Sequence, residues 1–169
     1  PYCSGRYVLP GFSDLATKNP ALASEWHPTK NGDLNPSAVP PSGSHKAWWM
    51  GSCGHEWEAR VNSRARGSSC PYCANQRVLQ GFNDLATRQP DLLPQWHPNR
   101  NSGLDPAMVI AGSNKKFWWL CDKGHEWEAS PNHRRKAGWG TCSGQILLPG
   151  FNDLETKHPE TAAKWHPTK

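Results

Sequence analysis

The chain has 169 residues, 36% of them hydrophobic, and it contains 15 glycines and 16 prolines. Leu, Ile, Val and Phe are sparse and ten tryptophans carry much of the apolar surface, so the composition argues against one large core. It favours several small cores, which usually need a disulfide or a metal.

The 19 basic residues exceed the 14 acidic ones, which gives a net charge of +5. No apolar run approaches the roughly 18 residues of a membrane span and no signal peptide is recognisable, so the sequence predicts a cytoplasmic protein without membrane contact. Because the chain begins at Pro1, in the middle of a motif, we expect it to be a piece of a longer protein.

The chain is a repeat. Three segments match one another, 11–31, 81–101 and 150–169, and the first reads GFSDLATKNPALASEWHPTKN. Two other matching blocks, 46–73 and 116–142, lie between them. A repeat of this length predicts a tandem array of one supersecondary unit.

Each of the three segments carries the signals of two short helices. A Ser or Asn is predicted to cap the first helix, with an Asp in its first turn where a negative charge favours the helix dipole. A proline then ends the first helix and opens the second, which is predicted to stop at the Trp-His-Pro sequence. The predicted caps are Ser13, Asn83 and Asn152, the prolines are Pro20, Pro90 and Pro159, and the final tryptophans are Trp26, Trp96 and Trp165.

These helical segments are predicted to be packing and spacing elements, with Leu15, Leu22, Trp26 and their equivalents facing inward. The histidines of the Trp-His-Pro sequences are predicted to cap helix ends, and contact with a phosphate backbone is the alternative. They are His27, His97 and His166.

The two intervening blocks predict β-hairpins. In each, a Lys-x-Trp-Trp strand enters, a glycine-containing turn follows, and His-Glu-Trp-Glu-Ala returns. Alternation places Trp57 and Trp127 on one face and the glutamates on the other. One member of each adjacent Trp-Trp pair must point away from the core, and that tryptophan is the better candidate for stacking on a base.

The first block contains a complete set of metal ligands, Cys53, His55, Cys70 and Cys73. Two close pairs brought together by a hairpin supply the four ligands that tetrahedral zinc requires. Disulfides are disfavoured in a reducing compartment, and a redox role for Cys-Pro-Tyr-Cys would need a βαβ context that is missing.

The second block departs from the first. Cys121 and His125 are spaced C-x-x-x-H, so the first cysteine has moved by two residues relative to Cys53. Cys142 aligns with Cys73, and Cys3 holds the same position before the first helical segment. Three explanations stay open: a three-ligand site completed by water or His133, an altered module that binds zinc weakly, or the loss of a Cys-Pro pair.

The zinc ligands divide the chain into modules. Residues 1–10 are predicted to be the tail of a preceding zinc module. Residues 32–80 and 102–149 are the first and second zinc modules with their connectors, and 11–31, 81–101 and 150–169 are helical segments. The predicted fold class is therefore small α+β zinc modules, in which a zinc-bound β-hairpin alternates with two short helices.

The combined pattern resembles a known family. It is roughly W-W-x-C-x-x-G-H-x-W, then R, then G-x-G-C-P-x-C, then G-F-N-D-L…W-H-P-x-x-N, and it covers nearly the whole chain. This is similar to the bacterial and viral tandem treble-clef, or probable zinc-ribbon, repeats. The resemblance implies a small zinc module presumed to bind nucleic acid and sometimes found beside very-short-patch-repair-like or restriction-like nuclease domains. The stretch 138–142 departs from the pattern because it lacks Cys-Pro before Cys142.

The positive charge lies in the zinc blocks. Segment 44–77 has five basic and two acidic residues, and segment 115–136 has six and three, so each carries +3. Such clusters beside a metal-held loop suit phosphate contacts, although a solvated charged face is the alternative. The candidate nucleic-acid-binding residues are Arg60, Arg64, Arg66, Arg77, Lys115, Lys116, Arg134, Arg135 and Lys136.

No paired carboxylates, nucleophile with a base, or phosphate loop is present, so the sequence predicts a protein that is not an enzyme. We expect it to bind nucleic acid, double-stranded DNA in preference to RNA, and therefore to associate with the nucleoid. The alternatives are a protein-interaction or assembly scaffold and a targeting segment of a larger nuclease. Further repeats or a nuclease domain in the same protein are compatible with either.

Overall fold

The computed structural model describes residues 8–136, 147, 149–150 and 152–165. Cys3, Cys142, His166 and the side chain of Lys136 lie outside this part of the chain. The molecule divides into two compact units, Pro1–Leu79 and Gln80–Lys169. The helices of the described residues are short turns that fall far below the length and apolarity of a membrane span.

Each helical segment begins with two helices, as the sequence predicts. They are α1 (Leu15–Lys18) and α2 (Pro20–Ala23) in unit 1, α4 (Leu85–Arg88) followed by a 3₁₀ helix (Pro90–Gln95) in unit 2, and α6 (Leu154–Lys157) with α7 (Pro159–Ala162) in the third segment. The prediction that a proline opens the second helix is confirmed in all three. In unit 2 this helix is 3₁₀ and contains Pro94, which has no N–H for the α-helical bond.

The predicted N-caps are wrong by one residue. The caps are the aspartates Asp14, Asp84 and Asp153, each of which accepts a hydrogen bond from the backbone N–H of the threonine three residues later. A carboxylate has two oxygens, so Asp14 accepts from the N–H of Thr17 at 2.8 Å and also from that of Gly11 at 2.6 Å. Ser13 instead accepts from the N–H of Leu9.

The prediction that the second helix reaches the tryptophan is also wrong for unit 1 and for the third segment, where α2 ends at Ala23 and α7 at Ala162. Trp26 instead forms an isolated antiparallel bridge with Trp49, and Trp96 forms the equivalent bridge with Trp119. The chain extends here because its backbone pairs with the edge of the following hairpin.

The predicted hairpins are present in both units. Strand β1 (Lys46–Met50) pairs with β2 (Glu56–Arg60), and β3 (Phe117–Leu120) pairs with β4 (Glu126–Ala129), both antiparallel. Trp49 lies opposite Trp57. Both are buried while Glu56 and Glu58 are exposed, so the predicted alternation is confirmed. Helix α3 (Val61–Ala65) follows β2, and α5 (Pro131–Lys136) follows β4.

Each unit has its own small core between the helical segment, the connector and the hairpin. The first contains Leu15, Leu22, Val39, Ala47, Trp49, Trp57, Val61 and Cys70, and the second Leu85, Val109, Phe117 and Trp119. The inward-facing prediction is therefore confirmed for the first two helical segments. It is wrong for the third, because Leu154 is 37% and Trp165 72% exposed.

Candidate metal centre

The structure brings the four predicted ligands of unit 1 together. The ligand atoms of Cys53, His55, Cys70 and Cys73 all lie within 4.8 Å of one another. His55 Nδ1 is 3.5 Å from Cys70 Sγ and 3.4 Å from Cys73 Sγ. All three cysteines are free thiols, so no disulfide competes for the sulfurs.

Two separate elements deliver these ligands. Cys53 and His55 lie in the knuckle, residues 51–55, which joins β1 to β2 and turns at Gly54 with φ +76°. Cys70 and Cys73 lie in a loop after α3, where Ala74 N–H donates to Cys70 O at 3.0 Å. Cys70 is buried in the core of the unit, so the ligand set is anchored to the hydrophobic packing. The ring of Tyr72 meets that of His55 edge to face at 5.7 Å.

The donor set fits zinc. Two ligands of one tetrahedral zinc, nitrogen at about 2.0 Å and sulfur at about 2.3 Å, lie roughly 3.5 Å apart. The distances from His55 Nδ1 to the two sulfurs, 3.5 and 3.4 Å, match this separation. Cys53, His55, Cys70 and Cys73 would hold the ion, and such a closed site would supply folding free energy and no reactive water.

The electrostatics of the cluster also favour a cation. Partial desolvation, together with the neighbouring thiols of Cys53 and Cys70, raises the pKa of Cys73 to about 11. Desolvation likewise opposes ionisation of Cys53, but hydrogen bonds from the His55 backbone and from the other two thiols lower the pKa of Cys53. Three adjacent sulfurs cannot all ionise unaided, and a divalent ion removes this conflict.

Unit 2 forms half of an equivalent site in its described residues. Cys121 Sγ lies 3.4 Å from His125 Nδ1, the distance that also separates Cys73 Sγ from His55 Nδ1 in unit 1. The backbone N–H groups of Lys123 and His125 donate to Cys121 Sγ at 3.2 and 3.3 Å. Cys142, the predicted third ligand, lies outside the described residues, and His133 is exposed on α5.

The shift of the first cysteine has a geometric explanation. Gly51 in unit 1 and Cys121 in unit 2 hold equivalent places, since Gly51 N–H donates to His55 O and Cys121 N–H donates to His125 O. A Cβ built on Gly51 would lie 3.2 Å from Cys53 Sγ. A cysteine at either knuckle position can therefore place its sulfur near the same point.

Two of the predicted phosphate-binding arginines are buried. Arg64 is 8% and Arg134 6% exposed. The guanidinium carbon of Arg64 lies 5.2 and 5.0 Å from the ring centres of Trp49 and Trp57, and its nitrogens bond to Glu25 and to the carbonyl of Ser68. This corrects the prediction of phosphate contact, because a guanidinium enclosed by two indoles and a carboxylate is a structural part of the core.

Arg134 repeats this arrangement against Trp119 and Trp127, at 5.3 and 5.1 Å. Its side-chain partner is Gln95, which occupies the position of Glu25. Burial lowers the pKa of Arg134. The prediction of phosphate contact is therefore corrected for this residue as well.

The other described candidates are exposed, namely Arg60, Arg66, Arg77, Lys115, Lys116 and Arg135. Arg60 and Arg77, together with Lys46 and Glu58, line a groove of about 310 Å³ beside the zinc loop, and Ser63, Ser68 and Ser69 add hydroxyl groups. Sequence reasoning counts the charge of Lys46 but does not select it as a binding residue. The predicted hairpin could have identified Lys46, because this residue begins the first strand and pairs with Arg60 at the end of the second.

The two described Trp-His-Pro histidines, His27 and His97, do not cap helices. His27 is 5% exposed, its Nδ1 accepts hydrogen bonds from the N–H groups of Thr29 and Lys30 at 3.2 Å, and its Nε2 lies 3.1 Å from Glu56. Hydrogen bonds from Lys30 and His27 lower the pKa of Glu56. The histidine thus holds the turn that follows it and ties that turn to β2, which corrects the predicted helix cap.

The charged residues beside these histidines also cover the outward-facing tryptophans of the two hairpins. Lys30 Nζ lies 4.8 Å from the ring centre of Trp48, and the guanidinium carbon of Arg100 lies 3.8 Å from that of Trp118. His97 and Arg100 both contact Glu126, as His27 and Lys30 contact Glu56. Trp48 and Trp118, the predicted stacking candidates, are half-buried beneath these cations.

This arrangement defines a zinc finger protein, here in tandem. It consists of a hairpin, a knuckle with two ligands, a loop with two more and a short helix between them. The profile of the family described as "Probable Treble clef zinc finger domain" matches residues 22–76 and 92–145, well over half of the chain. The chain belongs to this family, and the cluster of unit 1 is its zinc site. No curated protein matches the sequence.

Proposed function

We propose that this tandem zinc finger protein is a non-enzymatic nucleic-acid-binding protein that takes double-stranded DNA in preference to RNA. The observation that carries the proposal is the groove beside the zinc loop of unit 1, which is lined by Lys46, Arg60 and Arg77 and by a single acid, Glu58, paired with Lys46 at 3.3 Å. Three cations against one anion leave the groove positive, and hydroxyl groups beside them can also bond phosphate oxygens.

Zinc has an indirect part in this proposal. Pro71 and Arg77 both line the groove, and Pro71 lies between the ligands Cys70 and Cys73. Zinc that fixes this loop would also fix the wall of the groove against β2. The basic residues would then meet the phosphate backbone from a rigid support, which gives affinity but little base specificity.

Unit 2 offers a weaker version of this surface in its described residues. Lys116 takes the place of Lys46, but Ser130 takes the place of Arg60. Arg135, Lys115 and Lys116 are exposed and extend the positive surface of this unit. We therefore assign the main phosphate contact to unit 1 and a supporting one to unit 2.

A salt titration tests the proposal. Binding of a labelled DNA duplex should weaken steeply with salt, because each phosphate contact contributes about 0.9 to the slope of log K against log salt concentration. The Arg60→Ser, Arg77→Ser variant should bind more weakly and lower this slope by roughly 2. Serine is the residue that unit 2 carries at the position of Arg60, so the hairpin tolerates it.

The matched control removes two positive charges elsewhere. Lys18 and Arg88 hold equivalent exposed positions in the last turns of α1 and α4, outside the zinc blocks. The Lys18→Ser, Arg88→Ser variant should leave the salt slope close to that of the parent. Salt-insensitive binding, or equal losses in both double variants at full zinc content, would exclude the groove. Single-stranded DNA and RNA in the same titration test the preference for duplex DNA.

A further inference from the structure

The third helical segment repeats the first two in sequence and in local structure, but its apolar face is open. Helices α6 and α7 are capped by Asp153 and opened by Pro159, as their counterparts are. Leu15 and Leu85 are fully buried, whereas the equivalent Leu154 is 37% exposed. Trp165 is 72% exposed, whereas Trp26 and Trp96 are half-buried.

In both units this face is covered by the connector and hairpin that follow it in the chain. In unit 1, Leu15 N–H donates to Val39 O at 2.8 Å and the Trp26 indole N–H donates to Leu34 O at 3.2 Å. The rings of Trp26 and Trp49 meet edge to face at 5.1 Å.

Unit 2 repeats each of these contacts. Leu85 N–H donates to Val109 O at 2.7 Å, and the Trp96 indole N–H donates to Leu104 O at 3.2 Å. The rings of Trp96 and Trp119 lie 5.4 Å apart. In both units, therefore, the apolar face of the helical segment is covered by the connector and hairpin that follow it.

We propose that the face formed by Leu154, Ala162 and Trp165 binds the connector and β-hairpin of a further zinc block joined directly after it in the same polypeptide. These three residues line an open groove of about 650 Å³. A direct connection is favoured because, in both units, the carbonyl that accepts the tryptophan N–H lies only eight residues after that tryptophan.

One position specifies this partner further. Lys164 takes the place of Glu25 and Gln95, the residues that bond the buried arginines Arg64 and Arg134. A lysine there would repel a buried arginine across the interface. The partner hairpin is therefore expected to carry an acceptor in place of that arginine, which makes this junction distinct from the two that the chain already contains.

The experiment extends the full chain with a copy of its own residues 31–73, placed after Lys169. The extension carries a complete ligand set, so zinc content that rises by one per chain shows that the block has folded. Hydroxyl-radical footprinting with mass spectrometry then follows oxidation of Trp165, with Trp26 and Trp96 as internal references. The copied block carries Arg64, so the oxidation rate of Trp165 should fall only in part opposite Lys164. It should fall to that of the references with Lys164→Glu, which restores the carboxylate of unit 1.

The control carries a Gly-Ser extension of the same length, and Trp165 should stay reactive in it. If Trp165 remains equally reactive in the zinc-loaded extended chain, both with and without the Lys164→Glu substitution, the proposal is wrong. Protection of Trp165 in the unextended chain at rising concentration would also overturn it, because the occupant would then be a second copy. Neither result depends on nucleic acid, so this proposal and the one above can fail separately.

Discussion

At the scale of single residues, the knuckles of the two units carry their cysteine at two different positions beside a shared histidine. The sequence shows only that Cys53 and Cys121 sit at positions two residues apart in the aligned blocks. In the structure Cys121 Sγ lies 3.4 Å from His125 Nδ1, and the ligand atoms of Cys53 and His55 lie within 4.8 Å of each other. A Cβ at Gly51, the position equivalent to Cys121, would lie 3.2 Å from Cys53 Sγ, so both positions can direct a sulfur to the same point.

This geometry predicts that the two positions are interchangeable. Cys53→Ser alone should weaken zinc binding, because it removes one of four ligands. Gly51→Cys together with Cys53→Ser should restore zinc binding. A Cβ at position 51 lies 3.2 Å from the position of the Cys53 sulfur, so the new sulfur can reach the same ion. Zinc content and the absorption spectrum of the Co²⁺-substituted protein would measure the number of bound thiolates.

The swap also has a steric requirement. A Cβ at position 51 would lie 3.0 Å from the ring of Trp57, so that ring must shift by a few tenths of an ångström. Unit 2 carries Cys121 at the position of Gly51, on a hairpin with the equivalent Trp127, so the fold accommodates a Cβ there. A double variant that folds yet holds no more metal than Cys53→Ser would contradict the geometric explanation.

At the scale of elements, the helical turns depend on their caps. A four-residue helix has almost no hydrogen bonds of its own, so the aspartate at its N-cap contributes much of its order. Burial would raise the pKa of Asp14 and Asp84, but hydrogen bonds from Thr17 and Thr87 lower it. The side-chain and backbone hydrogen bonds of Thr156 lower the pKa of Asp153 to about 2.

The third helical segment should therefore lose its cap in acid. The pKa of an unfolded Asp is about 3.9, so a folded pKa near 2 means that the stabilisation is complete above about pH 4 and is lost as the pH falls towards 2. The amide chemical shift of Thr156, followed by NMR, should titrate with a midpoint near 2. This titration should vanish in the Asp153→Asn variant. In the parent protein, a midpoint near the value of about 3.9 for unfolded Asp would refute the capping role.

At the scale of the whole molecule, each unit builds a core that is too small to be stable without support. The core of unit 1 consists of eight buried residues, of which Cys70 is itself a zinc ligand. The hairpin is two-stranded, and such hairpins are marginal in water. Zinc and the packing of Trp49 and Trp57 must therefore stabilise one another.

Removal of zinc should consequently unfold unit 1. Structural zinc contributes apparent binding free energies on the order of 10 kcal/mol or more in small zinc fingers, which exceeds what this core can supply. Chelation should abolish hydrogen-exchange protection of strands β1 and β2, and added zinc should restore it. A Cys70→Ser variant serves as the control, because it should resemble the chelated protein before any chelator is added. If metal analysis shows that the zinc has been removed and the exchange protection of β1 and β2 persists, this dependence is contradicted.

Much of the site could be predicted because its signals are local. Two ligand pairs, separated by a hairpin pattern, identify Cys53, His55, Cys70 and Cys73 without any knowledge of the tertiary structure. The cap lies one residue after the predicted position because Ser13 and Asp14 are both good caps, and only the backbone geometry decides which side chain faces the free N–H groups.

The sequence by itself determined the repeat, the hairpins and the zinc ligand set, because each depends on residue types at fixed short spacings. Only the tertiary structure decided that Arg64 and Arg134 are core residues while Arg60 and Arg77 line a groove. The sequence pattern of basic residues is the same whether a guanidinium is exposed to water or packs against two indoles. It also decided that Trp26 and Trp96 are covered and Trp165 is not. Burial of a repeated side chain depends on the presence of its partner element, and three nearly identical segments cannot show that difference.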